Sequence, residues 1–161
     1  MSAAVLSLEP VADGDFESLF ALRIAAMRDS LERLGIFNLE RARERFLGQF
    51  EPQHMQHICV DDGQSAQRAG LLTVAPQADG RLKLQHLYLL PAYQNRRIGD
   101  WAIRAVQAQA REAGQTLWLE VLNRSDAIRF YQRHGFVQVG GDPIDLIFEW
   151  APAARAQAQL P

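Results

Sequence analysis

The stretch Leu84-Gln-His-Leu-Tyr-Leu-Leu-Pro-Ala-Tyr-Gln-Asn-Arg-Arg-Ile-Gly-Asp100 sets the organisation of the whole chain. Its first half is an apolar run rich in strand formers that Pro91 stops; a short basic segment follows, and an amphipathic helical pattern begins at Ile98. The order is strand, loop, helix. The first amides of a helix have no intrahelical partner and lie at the positive end of its dipole, so a loop entering a helix this way can hold a phosphate group. Arg96 and Arg97 place two cations there, and Gly99 removes a Cβ from the approach. The pattern predicts a pyrophosphate cradle.

Upstream, residues 54–60 alternate in polarity, Asp61-Asp62-Gly63 signals a turn, and 68–74 gives another strand. A second turn at 76–80 leads into the strand 81–90, so three sequential strands form an antiparallel meander. Downstream, Gly99, Ala102, Ile103, Val106, Ala110 and Ala113 keep one helical face apolar until Gly114, and 116–122 reads as a buried strand. Strand, helix, strand favours a right-handed parallel crossover. Ser125 or Asp126 caps a short helix ending at Gly135, and 136–139 and 144–150 are closing strands. At the other end, 3–8 is a first strand, a helix runs from the Asp13 cap to Gly35, and Asn38 caps a second helix whose stripe is Leu39, Ala42, Phe46, Leu47 and Phe50. The fold class is α/β (α+β): a mixed, mostly antiparallel sheet flanked by helices.

With 161 residues, 48% of them hydrophobic, the chain supports one core and not two. A net charge of -2 and a pI near 6.1 provide no general basic field, which argues against nucleic acid as a partner and for a metabolite bound by a local positive patch. The single cysteine, Cys59, excludes an internal disulfide and fits a reducing compartment. With no apolar run long enough to cross a bilayer and no basic, apolar leader, the expectation is a cytoplasmic protein with no membrane partner. His54, His57, His86 and His134 lack metal-ligand spacing, so no metal is expected.

Leu87-Tyr88-Leu89 followed by Gln94-Asn95-Arg96-Arg97-Ile98-Gly99, and later Ala127-Ile-Arg-Phe-Tyr-Gln-Arg-His-Gly-Phe136, resemble the two signatures of the GNAT superfamily of N-acetyltransferases. The first is the Q/R-x-x-G-x-G/A loop after a strand; the second is A-x-x-F-Y-x-x-x-G-F. One position departs, since Arg97 stands where the first glycine is usual. The resemblance implies a single N-acetyltransferase domain over 1–150, with 151–161 a flexible tail. It implies acetyl-coenzyme A as co-substrate, its arm lying in the gap of a splayed parallel strand pair and held by Leu87, Tyr88, Leu89, Gln94, Asn95, Arg96, Arg97, Ile98, Gly99, Asp100, Asn123 and Tyr131. Ser125 competes with Asn123 for the arm contact.

The same resemblance implies an acyl-CoA N-acyltransferase acting by direct transfer to a primary amine of a small molecule, with a peptide or protein amine as the wider class. Tyr131 is the candidate general acid, because a phenol can protonate a thiolate of similar basicity without itself being ionised at neutral pH. Glu120, an acid in an otherwise apolar strand, is the candidate base on the argument that burial would raise its pKa. Some relatives carry this base on the preceding strand, at the position of Lys83. His86 is expected to pack under the helix that follows unless a bulge intervenes. Relatives wall the acceptor pocket with their first two helices, which makes Arg23, Arg28 and Arg45 candidate substrate contacts. The chain is expected as monomer or homodimer. The alternative from another class is a non-catalytic acyl-CoA-binding sensor that kept the cradle and lost turnover.

Overall fold

The computed structural model describes residues 4–153. Alternating apolar residues lay down β1 (Val5–Pro10), β2 (Met55–Asp61), β3 (Ala66–Pro76), β4 (Leu82–Leu89), β5 (Leu117–Leu122), β6 (Val137–Gly141) and β7 (Asp145–Trp150). They form one sheet in the order β1-β2-β3-β4-β5-β7-β6, with every neighbouring pair antiparallel except β4 and β5. Gly70 lets β3 close on β4, since a Cβ there would run into the Tyr88 carbonyl oxygen and the Leu89 side chain.

Among the described residues four α-helices cover the two faces: α1 (Phe16–Arg33), α2 (Leu39–Gly48), α3 (Ile98–Ala113) and α4 (Ala127–Arg133). The apolar stripe of α3, from Ile98 through Ala102, Ile103 and Val106 to Ala110, packs on Ile58, Leu72, Leu84, Leu117 and Leu119, and Tyr131 of α4 joins this core. On the opposite face α1 and α2 bury Leu19, Phe20, Ala42 and Phe46 against Met55 and Leu71. Helix boundaries follow local chemistry. Asn38 Oδ1 accepts the Arg41 amide to start α2, and Gly114, at a φ of 66°, ends α3.

Two expectations need correction. The α2 stripe is narrower than its sequence suggests: Leu39 is 55% and Leu47 60% exposed, while Ala42 and Phe46 are buried. Leu39 lies at the first position of the helix, and Leu47 is turned by about 100° from Phe46, away from α1. His86 does not pack under α3. Thr73 pairs with His86 and Val74 with Leu84, so Gln85 is an extra residue in β4, and the bulge turns His86 and Tyr88 towards α1 and α2. The tail expected over 151–161 falls largely outside the described residues.

Candidate active site

β4 and β5 are bonded only at their starts, through Leu82↔Leu117 and Lys83↔Trp118. Beyond that point each strand keeps its outer neighbour, β3 for β4 and β7 for β5, while the facing edges part. The gap opens into a cavity of about 790 Å³ lined by Leu84, Gln85, Leu87, Tyr88 and Leu89 on one side and Glu120, Val121 and Leu122 on the other. Unpaired strand edges expose backbone donors and acceptors, so the slot suits an extended ligand with amides of its own.

At one end the cavity reaches the loop before α3, touching Gln94, Asn95, Arg97, Gly99 and Asp100. Asn95 and Arg97 have φ of 60° and 63°, the left-handed region in which a glycine is usual, and no side chain among the described residues caps α3. The first amides of α3 are therefore left for a ligand. Gln94 is tied back by its Nε2 donating to the Leu89 carbonyl at 3.0 Å. Arg97 lines the cavity; Arg96 does not, and lies over the ring of Tyr93 at 5.3 Å. Ile98 is buried in the core. The space left by the absent Gly99 Cβ is taken by Phe130, whose Cε1 would lie 3.3 Å from such an atom, so this glycine serves helix packing. Asp100, an acid in the first turn of α3, is hydrogen-bonded to His134 Nε2 at 2.7 Å and paired with Arg133; these partners hold its carboxyl below the usual range.

Further along, Tyr131 borders the slot, and burial, aided by the nearby Tyr88 phenol, pushes its pKa well above that of an ordinary tyrosine. It keeps its proton throughout the physiological range. The burial expected of Glu120 is not found. This residue is exposed, and its Oε1 accepts from Lys83 Nζ at 2.8 Å, an ion pair spanning the two strands where they separate. β5 turns odd-numbered residues into the α3 core and even-numbered ones to the opposite face, where Glu120 borders both cavities. Asn123 donates from Nδ2 to the Pro143 carbonyl at 3.2 Å and does not line the cavity, whereas Ser125 does. Cys59 is buried, and burial, followed by its contact with Glu9, raises its thiol pKa.

A smaller cavity of about 220 Å³ adjoins the slot and shares Met27, Gln85, Tyr88, Glu120 and Leu122 with it. Its helical wall carries Arg23, Arg41 and Arg45. Arg28 is elsewhere, paired with Glu32 and stacked on Phe37. Sequence reasoning missed Arg33 and Arg133, which line the larger cavity, and Asp145, which lines the smaller. Asp145 arrives by the pairing Leu122↔Asp145 between β5 and β7, which nothing local announces. Its pKa is raised, first by burial. Among the described residues, no group of three or more His, Cys, Asp or Glu is arranged to hold a metal, and no helix is long and apolar enough to cross a membrane.

The comparisons agree with this geometry. Among solved structures, PaiA N-acetyltransferase from Thermoplasma acidophilum in complex with coenzyme A superposes with a TM-score of 0.69 at 17% identity, over 91% of this chain and 99% of that one. An acetyltransferase from Thermus thermophilus gives 0.68 at 20% identity, over 91% and 97%. The ribosomal-protein-S18-alanine N-acetyltransferase from Escherichia coli gives 0.67 at 15%, over 97% and 99%. At these identities the likeness is one of fold. No curated protein matches the chain. A family model, acetyltransferase (GNAT) domain, matches residues 53–138. That segment holds the meander, the parted strands, the loop before α3 and Tyr131, more than half of the chain, which therefore belongs to the GNAT family of acetyltransferases.

Proposed function

We propose that this chain transfers the acetyl group of acetyl-coenzyme A directly to a primary amine of a small molecule. The observation that carries the reading is the parting of β4 and β5 into one slot that meets both the uncapped start of α3 and Tyr131. When bound, the coenzyme supplies an activated thioester. The residues present fit it: Arg97, Arg33 and Arg133 offer cations for phosphate oxygens, and the free edge of β4 at Leu87, Tyr88 and Leu89 offers strand-like bonds to the arm's amides. Ser125 lines the slot and Asn123 does not, which supports Ser125 as the arm contact in this reading.

The chemistry asks little else. The amine nitrogen bonds to the carbonyl carbon, the carbon–sulfur bond breaks, and Tyr131 gives its proton to the departing thiolate. Glu120, which borders both cavities, takes the amine's proton as a hydrated, ion-paired carboxylate and passes it to water. Desolvation plays no part in that role.

Free thiol release with a panel of amines tests the reading. Tyr131→Phe is expected to lower kcat by about 10²–10⁴-fold, the usual contribution of a positioned acid, while acetyl-coenzyme A still binds saturably. An unchanged kcat removes Tyr131 from the role. Saturable coenzyme binding with no amine-dependent thiol release from the wild type would leave the chain a sensor.

A further inference from the structure

Arg23 is only 5% exposed, and among the described residues neither its Nε nor its Nη1 has a hydrogen-bond partner. Arginine keeps its charge inside proteins, and a buried charge is held there by a counter-charge. The ring of Phe46, 5.9 Å from its guanidinium carbon, supplies part of that compensation. No carboxylate among the described residues pairs with it. Arg23 lines the smaller cavity, and there Arg41 and Arg45 of α2 add two further guanidiniums, so the helical wall is cationic. The sheet wall differs. It presents Glu120, tied to Lys83, and Asp145. Met27, Leu31 and Ile144 line the remainder.

A wall of arginines facing a wall with two carboxylates matches a molecule with one charge of each sign. We infer that the acceptor is a small amine that carries its own carboxylate, an amino-acid-like zwitterion. Its carboxylate pairs with Arg23 and Arg45, its apolar side chain lies among Met27, Leu31 and Ile144, and its nitrogen points across the sheet wall to the slot. This rests on the acetyl-transfer reading above, and it names the substrate class for that site. A planar carboxylate suits a guanidinium, whose donors lie in one plane. A polyamine, with cations only, would be repelled by the helical wall.

The experiment compares apolar L-amino acids, each beside its C-terminal amide, with spermidine as a third acceptor, by thiol release at saturating acetyl-coenzyme A. The amide's amine is the less basic, so unassisted chemistry favours the amide. The expectation is the reverse: kcat/KM for the acid about tenfold or more above that for the amide, as a charge-assisted hydrogen bond provides. Arg23→Gln and Arg45→Gln are each expected to erase most of that preference through KM. Arg45 is exposed, so its variant remains decisive should Arg23→Gln fail to fold. Equal use of acid and amide by the wild type, a preference for spermidine, or a preference untouched by both substitutions overturns the inference.

A thermal-shift arm separates this from failure of the donor reading. L-methionine should raise the melting temperature more than L-methioninamide, and Arg45→Gln should remove the difference. If that difference is present while calorimetry shows no acetyl-coenzyme A binding, the donor reading falls and the carboxylate site stands. If acetyl-coenzyme A binds and the difference is absent, the carboxylate site falls alone.

Discussion

His86 shows how far one residue's chemistry depends on its surroundings. Burial first, then the cations Arg23, Lys83 and Arg45, push its pKa down to about 3. Its Nδ1 lies 2.9 Å from Thr73 Oγ1 and its Nε2 3.0 Å from Gln49 Oε1. Because the Gln49 oxygen accepts, Nε2 carries the proton and Nδ1 accepts from the threonine hydroxyl. A histidine whose folded pKa lies below its unfolded value of 6.5 adds stability above that value, and the contribution is lost as pH falls towards 3. The unfolding free energy from urea titration should therefore drop between pH 7 and pH 5, by about 2 kcal/mol on this account. His86→Gln should flatten the drop; an equal drop in wild type and variant would exclude the histidine as its source. Strand alternation alone puts His86 on the wrong face, because one inserted residue reverses everything after it and a bulge has no reliable signal in a single sequence. Glu120 illustrates the converse. Its apolar neighbours suggest burial, yet an isolated acid in an amphipathic strand falls on the open side and finds Lys83 across the fork.

At the scale of the element, the loop and first turn of α3 act as one unit. Arg97 holds a left-handed conformation that costs a non-glycine residue about 1–2 kcal/mol. Arg97→Gly should thus raise folding stability by about 1 kcal/mol and weaken coenzyme A binding, because the guanidinium is lost from the cavity. Arg96→Ala, whose side chain lies on Tyr93, should weaken binding much less. Calorimetry beside urea unfolding checks both, and equal losses of affinity at the two positions would contradict the assignment of the cradle. The elements themselves were legible because their signals are local: the Asn38 cap, the Gly114 stop and the alternating meander all fall where spacing puts them. The side chains aimed into the cradle were less so. Two adjacent arginines look alike in sequence, and backbone conformation alone separates them.

For the molecule as a whole, neighbouring strands of the sheet stay paired along their length except at the inner edges of β4 and β5. Acetyl-coenzyme A at about 100 times its Kd should stabilise the fold by about 2.7 kcal/mol, a rise in melting temperature of about 5–11 °C. Hydrogen exchange should slow at the β4 and β5 amides bordering the slot and at the first turn of α3, and stay unchanged in β1 and β2. Protection spread evenly over the sheet would argue against the slot as the binding place. Asp145 and Arg23, 122 positions apart in sequence (145 − 23), line one pocket only through the closure of β7 on β5 and of α1 on the sheet. No spacing rule reaches that distance, which is why much of the slot's lining could be read from motifs and that of the smaller cavity could not.

The place where β4 and β5 separate also acts as a ruler. From Leu84 to Leu89 the free edge spans roughly 20 Å, and the Lys83–Glu120 bridge stands at its closed end like the stop at the base of a zip fastener. A thread laid in from the α3 end has its depth set by that stop. Shifting the branch point by two residues would move the tip by roughly 7 Å, leaving the phosphates seated and the reactive carbon out of Tyr131's reach. Strand register near residue 83 would then govern turnover without touching affinity.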